Sequence, residues 1–568
     1  MNKLEPAIFI LGPTALPLAQ TIKSKIGGKI HGPAQAGGVD EVYQKATTAI
    51  AYAFQSQQPI VGICASAILI RAVAPFLRSK LTEAPVVAVA EDGSSVVPLL
   101  GGHHGANKLA LNIAETIKGH AAITTASDVI FGNAYDEFAA GLVLGNPEDV
   151  KAATAARLRG EEVFRHNTIY NKKGDDRNII YHPATLAVGI GCERGTSVNE
   201  VNELIKSTFA AHDLSTKSIA VYASIELKED EAALSSLYNV IYFTHDELNA
   251  QSSRIATPSA YVADTVGTPS VAEAAALAAA GDEATLIVPK TKSKRATIAI
   301  AEAPEPILEP PGKRRGMVSV VGIGPGTRTM RSPQVTAELA MASDWVGYDL
   351  YLDLSADIKT NQIEHRFPLG GEEARCRHAI ELAKLGKHVA LVCSGDAAIY
   401  AMAALVYELI DREPCRIAVE VHPGISAFQM ASAKAGAMIG HDFCCISLSD
   451  LLTPWETIVQ RVTAAATGDF VISFYNPRSL KRTDQIIKAF EILKPYRNPD
   501  TPVVLASNLG RPEEKVRVLK FSEFDPEDVD MLTLVMVGSS QSRSIIRGDG
   551  KTYAYTPRGY AKKMSSLT

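Results

Sequence analysis

The stretch Met-Val-Ser-Val-Val-Gly-Ile-Gly-Pro-Gly, residues 317–326, passes from a β-branched run into a glycine-rich loop. Ser332-Pro333 follows as an N-cap and first-turn pair, so the sequence predicts a strand, a tight turn and a helix. A dinucleotide-binding turn would carry a third glycine where Thr327 stands, and Pro325 removes an amide donor that a pyrophosphate would use. The stretch therefore opens an α/β domain and argues against a nicotinamide site. Its loop is either a tight structural turn or a place where backbone approaches a ligand.

Further strand-like runs follow downstream, and each ends in small or turn-forming residues. These runs and the loops after them are 388–393 before 394–396, 417–421 before 422–427, 470–475 before 476–478, 503–507 before 508–510, and 532–537 before 538–540. A helix is expected over 397–409. Because open α/β sheets bind ligands at the carboxyl ends of their strands, we expect these strand tips to converge on one pocket.

The ordered motifs GIGPG, SGDAAIY, HPGISA and FYNPRS resemble the tetrapyrrole (corrin/porphyrin) methyltransferase family over residues 317–561. The stretches HPGISAFQMASAKAG, ISFYNPRS and LASNLGRPEE resemble its ring-contracting precorrin-3B C17-methyltransferase branch. The resemblance implies two α/β subdomains, S-adenosyl-L-methionine held folded in the cleft between them, and a tetrapyrrole substrate in an adjoining trough. It also implies a homodimer formed through this domain.

The resemblance carries cofactor contacts onto particular positions. The methionine end of the cofactor would meet one loop, the next loop would add a second contact, and two strands of the second subdomain would line the adenosine and adenine. In that order the expected cofactor-binding residues are Gly395, Asp396 and Ile399; Ser426 and Ala427; Tyr475 and Ala506; and Val537. A carboxylate such as Asp396 suits a cationic amino group.

Substrate and proton-transfer residues are expected on the same loops. Gly322, Gly324, Pro325 and Gly326 match the trough loop of the family. Arginine binds carboxylates bidentately, so it suits the propionate and acetate arms of a tetrapyrrole, although surface arginines are often only solvated. Ring contraction also requires proton movement, which calls for a titratable group. The arginine candidates are Arg328, Arg331 and Arg478; the catalytic candidates are Asp396 and His422, the latter equally well explained as a loop-packing histidine.

The N-terminal half resembles the cobalt-precorrin-5A hydrolase (CbiG) family in two modules. Residues 60–128 contain GGHHG at 101–105, where His103 is the candidate for polarising or protonating an opening lactone, and His104 is better explained as an ordinary loop residue. Residues 185–301 contain GIGCERGTSVNEV, VGTPSVAEAAAL and LIVPKTKSKRATIAIA, which also resemble the stand-alone CobE protein. Local structure accounts for part of these motifs, with Ser270 and Glu273 at capping-box spacing. The polar candidates for binding an acidic tetrapyrrole are Glu193, Arg194 and Lys294.

The sequence thus predicts a multidomain α/β protein with two smaller α/β modules before the methyltransferase fold. The expected boundaries are a first module at 1–148, a polar connector at 149–180, a second module at 181–302, a proline-rich linker at 303–316 and the methyltransferase at 317–568. The connector is shorter and more polar than in the hydrolases. The N-terminal half is therefore either a second, lactone-opening enzyme or a module that binds or channels an intermediate. A third hypothesis is a methylase of this fold acting on ribosomal RNA or a protein.

Bulk composition narrows the function classes. Hydrophobic residues make up 46% and charged residues 21%, with a formal charge of -5, so the chain is expected to fold and to bind neither nucleic acid nor an anionic membrane. It contains no run of about twenty apolar residues and no signal peptide at its start, which favours a small-molecule enzyme of the cytoplasm. The 7 cysteines, an odd number, indicate reduced thiols. Cys444 and Cys445 lack metal-ligand spacing, and no metal is expected.

Overall fold

The computed structural model describes residues 5–78, 83–102, 105–124, 135, 138–479 and 482–560. Its contacts divide the chain into two compact units. The first comprises Met1–Leu186, Phe209–Ala220 and Ala303–Leu308, and the second comprises Ala187–Thr208, Val221–Glu302 and Glu309–Thr568. Among the described residues, no helix combines the length and the apolar character that a bilayer crossing requires.

The first unit contains a mostly parallel sheet that is apolar on both faces. Its strands are β1 (Ala7–Ile10), β2 (Lys29–Gly32), β3 (Glu41–Val42), β4 (Ile60–Ile63), β5 (Val86–Val89), β6 (Ser95–Leu100) and β7 (His120–Ala121), in the order β3-β2-β1-β4-β5-β6-β7. Its helices are α1 (Leu16–Ile26), α2 (Ala46–Gln55), α3 (Ser66–Val73) and α4 (Ala106–Ile117). Ile8 and Ile10 pack with α1 and α4, whereas Ala7 and Phe9 pack with α2 and α3 on the other face. This alternation along β1 is the pattern of a buried parallel strand.

A small sheet occupies the segment that the sequence analysis treats as a polar connector. The strands β8 (Leu142–Leu144), β9 (Phe164–Asn167) and β10 (Asn178–Pro183) align in the order β8-β10-β9, and α5 (Val150–Leu158) packs on them. The expectation of a connector without strands over 149–180 is therefore wrong. The strand signal is weak because β9 is a polar edge strand whose side chains are mostly exposed.

Residues 186–302 form a second α/β sheet, which falls mostly in the second unit. Its strands are β11 (Leu186–Cys192), β12 (Ile219–Ile225), β13 (Val240–Phe243), β14 (Thr285–Lys292) and β15 (Ala296–Glu302), in the order β13-β12-β11-β15-β14. Its helices are α6 (Val198–Ala211), α7 (Ala232–Ser235), α8 (His245–Asn249), α9 (Ala260–Val266) and α10 (Val271–Ala280).

The predicted capping box at the start of α10 is only half right. Ser270 does cap the helix, because its Oγ accepts a hydrogen bond from the Glu273 N–H at 3.4 Å. The fully buried Glu273 carboxylate does not return that bond. It accepts instead from the backbone N–H groups of Ala256, Thr257 and Lys290, at 2.9, 2.9 and 2.8 Å. The glutamate therefore ties α10 to a loop and to β14.

The region expected to be the methyltransferase, from residue 317 onward, begins with a wholly parallel sheet, so the carboxyl ends of its strands lie at one edge. The strands are β16 (Met317–Gly322), β17 (Asp344–Tyr348), β18 (Ile363–Phe367), β19 (His388–Cys393) and β20 (Ala418–His422), in the order β18-β17-β19-β16-β20. The helices are α11 (Pro333–Met341), α12 (Asp349–Asp353), α13 (Glu372–Lys384) and α14 (Met402–Arg412).

The local signals at the start of this region are confirmed, with one exception. Ser332 caps α11, because its Oγ accepts from the Val335 N–H at 3.2 Å. The helix expected over 397–409 begins only at Met402, because Tyr400 adopts a left-handed backbone with φ of 51°. Residues 397–401 instead form an irregular loop at the tip of β19.

The last part of the chain forms a mixed sheet with a small sheet beside it. The strands are β21 (Gly436–Ala437), β22 (Phe443–Ser447), β23 (Val471–Tyr475), β24 (Pro502–Ser507), β25 (Lys515–Lys520), β26 (Thr533–Val537), β27 (Arg543–Ile546) and β28 (Thr552–Tyr555), in the orders β22-β23-β26-β24-β25 and β21-β28-β27. The helices are α15 (Ala427–Ala435), α16 (Trp455–Thr467) and α17 (Gln485–Leu493). The predicted multidomain α/β architecture, with a final pair of α/β subdomains, is confirmed.

Candidate functional site

Loops from three strand tips of the first methyltransferase sheet are joined backbone to backbone. The Gly395 N–H donates to the Gly324 carbonyl at 2.8 Å, and the Gly324 N–H donates to the Gly395 carbonyl at 3.1 Å. A Cβ at Gly424 would lie 2.1 Å from the Gly395 oxygen and 2.3 Å from the Gly322 oxygen, so only glycine fits there. The sequence-predicted residues Gly322, Gly324, Gly395 and the HPG loop are therefore brought together.

The Asp396 carboxylate links two of these loops. One oxygen accepts from the Ala398 N–H at 2.8 Å, and the other accepts from the Gly424 N–H at 3.2 Å. A carboxylate has roughly four lone-pair positions, so this group keeps acceptor capacity for a further donor. Asp396 is thus both a brace for the loops and a polar group at their junction.

The tips of the second sheet meet the same loops. The Phe428 N–H donates to the Tyr475 hydroxyl at 3.3 Å, and the Tyr400 hydroxyl donates to the Cys445 carbonyl at 2.8 Å. The rings of Tyr400 and Tyr475 lie 5.1 Å apart between centroids. A Cβ on Gly510, after β24, would lie 2.5 Å from the Cβ of Pro325. The loops at the strand tips of the two subdomains are therefore in direct contact.

Strained backbone concentrates at this junction. Tyr400, Asn476 and Asn508 have φ values of 51°, 50° and 51°, in the left-handed region that side-chain-bearing residues rarely adopt. The Asn476 amide donates to Ser447 Oγ at 3.1 Å, and the Asn508 N–H donates to the Leu532 carbonyl at 3.3 Å. Such strain persists where surrounding structure enforces it and is frequent at ligand sites.

Four of the eight predicted cofactor-binding residues share one apolar cluster. Ile399, Ala427 and Tyr475 are partly buried against a core that includes the buried Ala506. Ser426 starts α15, with its N–H donating to Gln429 Oε1 at 2.9 Å. These residues therefore lie close together at the loops that follow β19, β20 and β23, and their contact with a cofactor stays a prediction.

Val537, also predicted to contact the cofactor, lies away from this cluster. Strand β26 runs antiparallel to β23 and β24, and Val537 pairs with Val503 at the start of β24, at the edge opposite Tyr475. Its side chain is fully buried in the core beneath α16 and α17. The prediction of Val537 as an adenine contact is therefore corrected. Thr533, at the other end of β26, lies at the site edge, with its Oγ1 2.7 Å from Ser507 Oγ.

Two of the three predicted arginine clamps are already engaged within the chain. Arg331, with a side chain only 2% exposed, contacts Asp357 bidentately at 3.1 and 2.6 Å. Arg478 donates to the Pro526 carbonyl and to Glu527, each at 2.7 Å. Arg328 is half exposed, with Nε 3.9 Å from an Asp357 oxygen. Arg331 and Arg478 therefore serve the fold, and Arg328, which has the most exposed side chain of the three, stays a predicted clamp.

Sequence reasoning missed two other arginines. Within the described part of the chain, the Nε and Nη2 atoms of Arg375 and the Nε atom of Arg511 are buried without a hydrogen-bond partner. Both cations act on Tyr351: burial raises the pKa of this phenol, and the charges of Arg511 and Arg375 oppose the rise. The signal in the sequence was Arg375 on the apolar stripe of α13, four residues before the buried Ala379.

His422 lies at the carboxyl end of β20, yet its ring is buried. The residue is 3% exposed, and the ring packs on the α11 face of the sheet beside Glu338 and Glu420. Its role as the general acid or base, predicted from the sequence, would require contact with substrate, which this burial disfavours.

The N-terminal candidates fall into two groups. His103 and His104 lie outside the described residues, although the flanking Gly101 and Gly105 have φ of 69° and 101°. Glu193 and Arg194 are described and are paired within their own module. The Arg295 guanidinium donates to Glu193 at 3.0 Å, and Arg194 donates to Asp230 and to the Leu227 carbonyl, each at 2.6 Å; Lys294 is exposed.

The fold and the candidate site define an α/β protein in which the strand tips of two subdomains meet at a set of glycine loops. Family models match three segments: Cobalamin synthesis G N-terminal at 48–128, Cobalamin synthesis G C-terminus at 186–301, and Tetrapyrrole (Corrin/Porphyrin) Methylases at 317–525. Through its C-terminal region the chain belongs to the tetrapyrrole (corrin/porphyrin) methylases.

Individual relatives align with the same C-terminal region. A probable cobalt-factor III C(17)-methyltransferase of Salmonella typhimurium is 41% identical, over 43% of this chain and 99% of the relative. A precorrin-3B C(17)-methyltransferase of Sinorhizobium is 38% identical, over 43% and 98%. The cobalamin biosynthesis protein CobIJ of Mycobacterium tuberculosis is 42% identical, over 44% of this chain and 50% of the relative. The chain thus spans about half the length of the CobIJ proteins it matches.

Proposed function

We propose that this protein is an S-adenosyl-L-methionine-dependent C17-methyltransferase that contracts the ring of precorrin-3B, or of the cobalt-containing equivalent. The observation that carries the proposal is the junction of the Gly324, Gly395 and Gly424 loops with Tyr475 of the second subdomain. Relatives named for this methylation align over nearly their whole length, which supports the choice of substrate class.

The residues present fit such a cofactor. A Cβ added at Gly395 would meet Ser426 Cα at 3.9 Å and the Ile425 oxygen at 4.0 Å, both ordinary van der Waals contacts, so the chain does not crowd this loop. The Asp396 carboxylate would accept from the ammonium group of the cofactor, and Ala427 and Tyr475 would contact its nucleoside. When bound, the cofactor supplies an activated methyl group on a sulfonium.

The protein's own task in methyl transfer is alignment. Two rigid loops that fix the reacting groups in line account for much of the rate increase expected of such an enzyme. Arg328 and Arg511 would bind the carboxylate arms of the macrocycle, because a guanidinium binds a carboxylate bidentately. Asp396 remains the candidate for holding or moving a proton during ring contraction.

Gly395→Ala tests the cofactor site. The new methyl group would make only van der Waals contacts within the chain, so we expect a folded protein whose affinity for S-adenosylhomocysteine in calorimetric titration falls at least about tenfold. Gly550→Ala is the matched control, since Gly550 also has positive φ (74°) and open space around it, but lies in the β27–β28 turn. Equal affinity in both variants would contradict the placement.

Labelled cofactor with precorrin-3B tests the acceptor. We expect mass spectrometry to find one added methyl group on the macrocycle and a ring-contracted product. Label on ribosomal RNA or protein, with none on the tetrapyrrole, would replace this proposal with the third hypothesis.

For the N-terminal half, we favour a module that binds a tetrapyrrole lactone over a second enzyme. Glu193 pairs with Arg295 and Arg194 with Asp230, so the exposed Lys294 is the side chain through which we propose that this module binds a carboxylate arm. An assay with the purified lactone intermediate tests this choice. If the wild type does not turn it over, the result fits a binding module; if the wild type turns it over and His103→Ala does not, the N-terminal half is a hydrolase. A cytoplasmic homodimer, expected from the family resemblance, is proposed as well and is tested by sedimentation.

A further inference from the structure

Five polar side chains meet on the α11 face of the first methyltransferase sheet. The Ser319 hydroxyl of β16 donates to Glu338 Oε2 of α11 at 3.0 Å and lies 3.0 Å from His388 Nε2 at the start of β19. His422 Nε2 lies 3.7 Å from the same glutamate oxygen and 3.5 Å from Glu420 Oε2. The in-register pairing of Ser319 with Glu420 and of Val321 with His422 sets this arrangement.

His422 is the unusual member, because both of its ring nitrogens are buried and lack a hydrogen-bond partner among the described residues. Buried polar atoms in folded proteins nearly always have a partner. The ring nevertheless directs Nε2 between two carboxylate oxygens. Within the described part of the chain, no lysine or arginine forms an ion pair with Glu338 or Glu420. An imidazole and two carboxylates without a cation are the ligands that a divalent metal ion requires.

We propose that Glu338, Glu420 and His422 bind a divalent transition-metal ion of the zinc class. Their ligand atoms lie within 4.8 Å of one another. Zinc bonds of about 2.1 Å in a tetrahedral site put ligand atoms about 3.4 Å apart. The distances from His422 Nε2 to Glu338 and Glu420, 3.7 and 3.5 Å, need only a small contraction to reach that value.

The surroundings complete such a site. The Ser319 hydroxyl and the His388 ring contact the Glu338 carboxylate, as outer groups commonly do for metal-bound carboxylates. The Glu420 side chain is 57% exposed, which gives the ion a route from solvent and leaves room for a water ligand. The ion would join α11 to β20 directly before Gly424 and so hold the HPG loop in place.

The test uses the full-length chain, without an affinity tag, after treatment with a chelator. Calorimetric titration with Zn²⁺ should give one ion per chain, and Zn²⁺ should raise the melting temperature. Co²⁺ should give visible ligand-field bands without the near-ultraviolet thiolate band, which separates this site from Cys444 and Cys445. Zn²⁺ affinity should fall at least about tenfold in Glu420→Gln and in His422→Gln. The Glu420 side chain is exposed, so Glu420→Gln tests metal binding without disturbing the core.

Glu408→Gln is the matched control, because it makes the same change on an exposed glutamate of α14. Its zinc affinity should equal that of the wild type. The proposal is overturned if the wild type binds no zinc, if Glu420→Gln binds as tightly as the control, or if the cobalt spectrum shows thiolate ligands.

Discussion

Gly424 occupies the tightest backbone contact of the site, where carbonyl oxygens from two other strand tips face its Cα. Its neighbours at the junction, Gly324 and Gly395, need glycine for a different reason, their positive φ of 67° and 65°. At this scale the site depends less on reactive side chains than on residues that leave room for backbone.

Gly424→Ala should therefore damage the site more than the fold. The added methyl group would push the three loops apart, with a loss of about 1–3 kcal/mol in unfolding free energy and at least about a tenfold loss in S-adenosylhomocysteine affinity. Urea unfolding and calorimetric titration measure the two effects. Gly548→Ala, where a Cβ meets nothing within 4 Å, should change neither; if Gly424→Ala binds like this control, the loops do not form the site.

Sequence reasoning succeeded at residues whose role is local and failed where a distant partner decides. Ser332 and Ser426 begin helices, and Gly395 makes a turn, so their neighbours in sequence identify them. Arg331 was expected to bind substrate, yet Asp357, 26 positions away, takes its guanidinium. The sequence left His422 open between a proton-transfer role and a packing role, and only its contact with the distant Glu338 of α11 shows that the ring is buried.

At the scale of elements, strand positions were predictable and strand direction was not. The apolar runs mark β16, β19, β20, β23, β24 and β26 to within a residue or two. Nothing local to 533–537 reveals that β26 inserts antiparallel between β23 and β24, since that pairing joins segments far apart in sequence. This single reversal moves Val537 away from the site and brings Thr533 to it.

Asp344 ties three strands of the first methyltransferase sheet together. Its side chain, 1% exposed, accepts from His365 of β18 at 2.8 Å and from Lys387 before β19 at 2.9 Å. Burial alone would raise the pKa of this carboxyl, but the hydrogen bonds from Lys387, His365 and Ser343 outweigh it and hold the pKa below its usual range.

Because the folded-state pKa is lowered, Asp344 stabilises the sheet above its unfolded pKa of about 3.9, and this stabilisation is lost as pH falls through the lower folded value. Asp344→Asn should cost about 1–3 kcal/mol at pH 7, with the difference from wild type shrinking below about pH 4. Urea unfolding followed by Trp345 fluorescence, in a Trp455→Phe background, measures it. A pH-independent difference would contradict the assignment; exposed Asp349→Asn is the control.

At the scale of the whole molecule, the linker after residue 302 is held by the module that precedes it. The Lys313 ammonium lies 3.0 Å from Glu229 and 3.1 Å from Glu226, and the backbone of Lys313 exchanges two hydrogen bonds with Tyr242 of β13. Its proline content predicts a boundary, but these long-range contacts could not be read from composition.

Lys313→Met should loosen the linker. Burial raises the pKa of Glu229 while Lys313 acts to lower it, so without the lysine two carboxylates face each other at neutral pH. At pH 7 we expect the free energy of hydrogen-exchange protection to fall by about 1–3 kcal/mol in peptides covering 226–243 and 309–316. Near pH 5 this loss of protection should be smaller, because Glu229 takes up a proton more readily there. Lys359→Met, which removes a more exposed pair with Glu364, should have little effect, and equal behaviour of the two variants would argue against this role for Lys313.

The backbone hydrogen bonds between Lys313 and Tyr242 also decide where this chain can be divided into separately expressed domains. Strand β13 is the outermost strand of its sheet, and the linker backbone covers part of its rim. A fragment that ends at residue 302 would leave the backbone N–H and C=O groups of Tyr242 without these partners, and exposed edge strands pair with other copies of the same chain. A fragment that contains the preceding module should therefore end after residue 313, and a new fusion should keep the linker attached to that module.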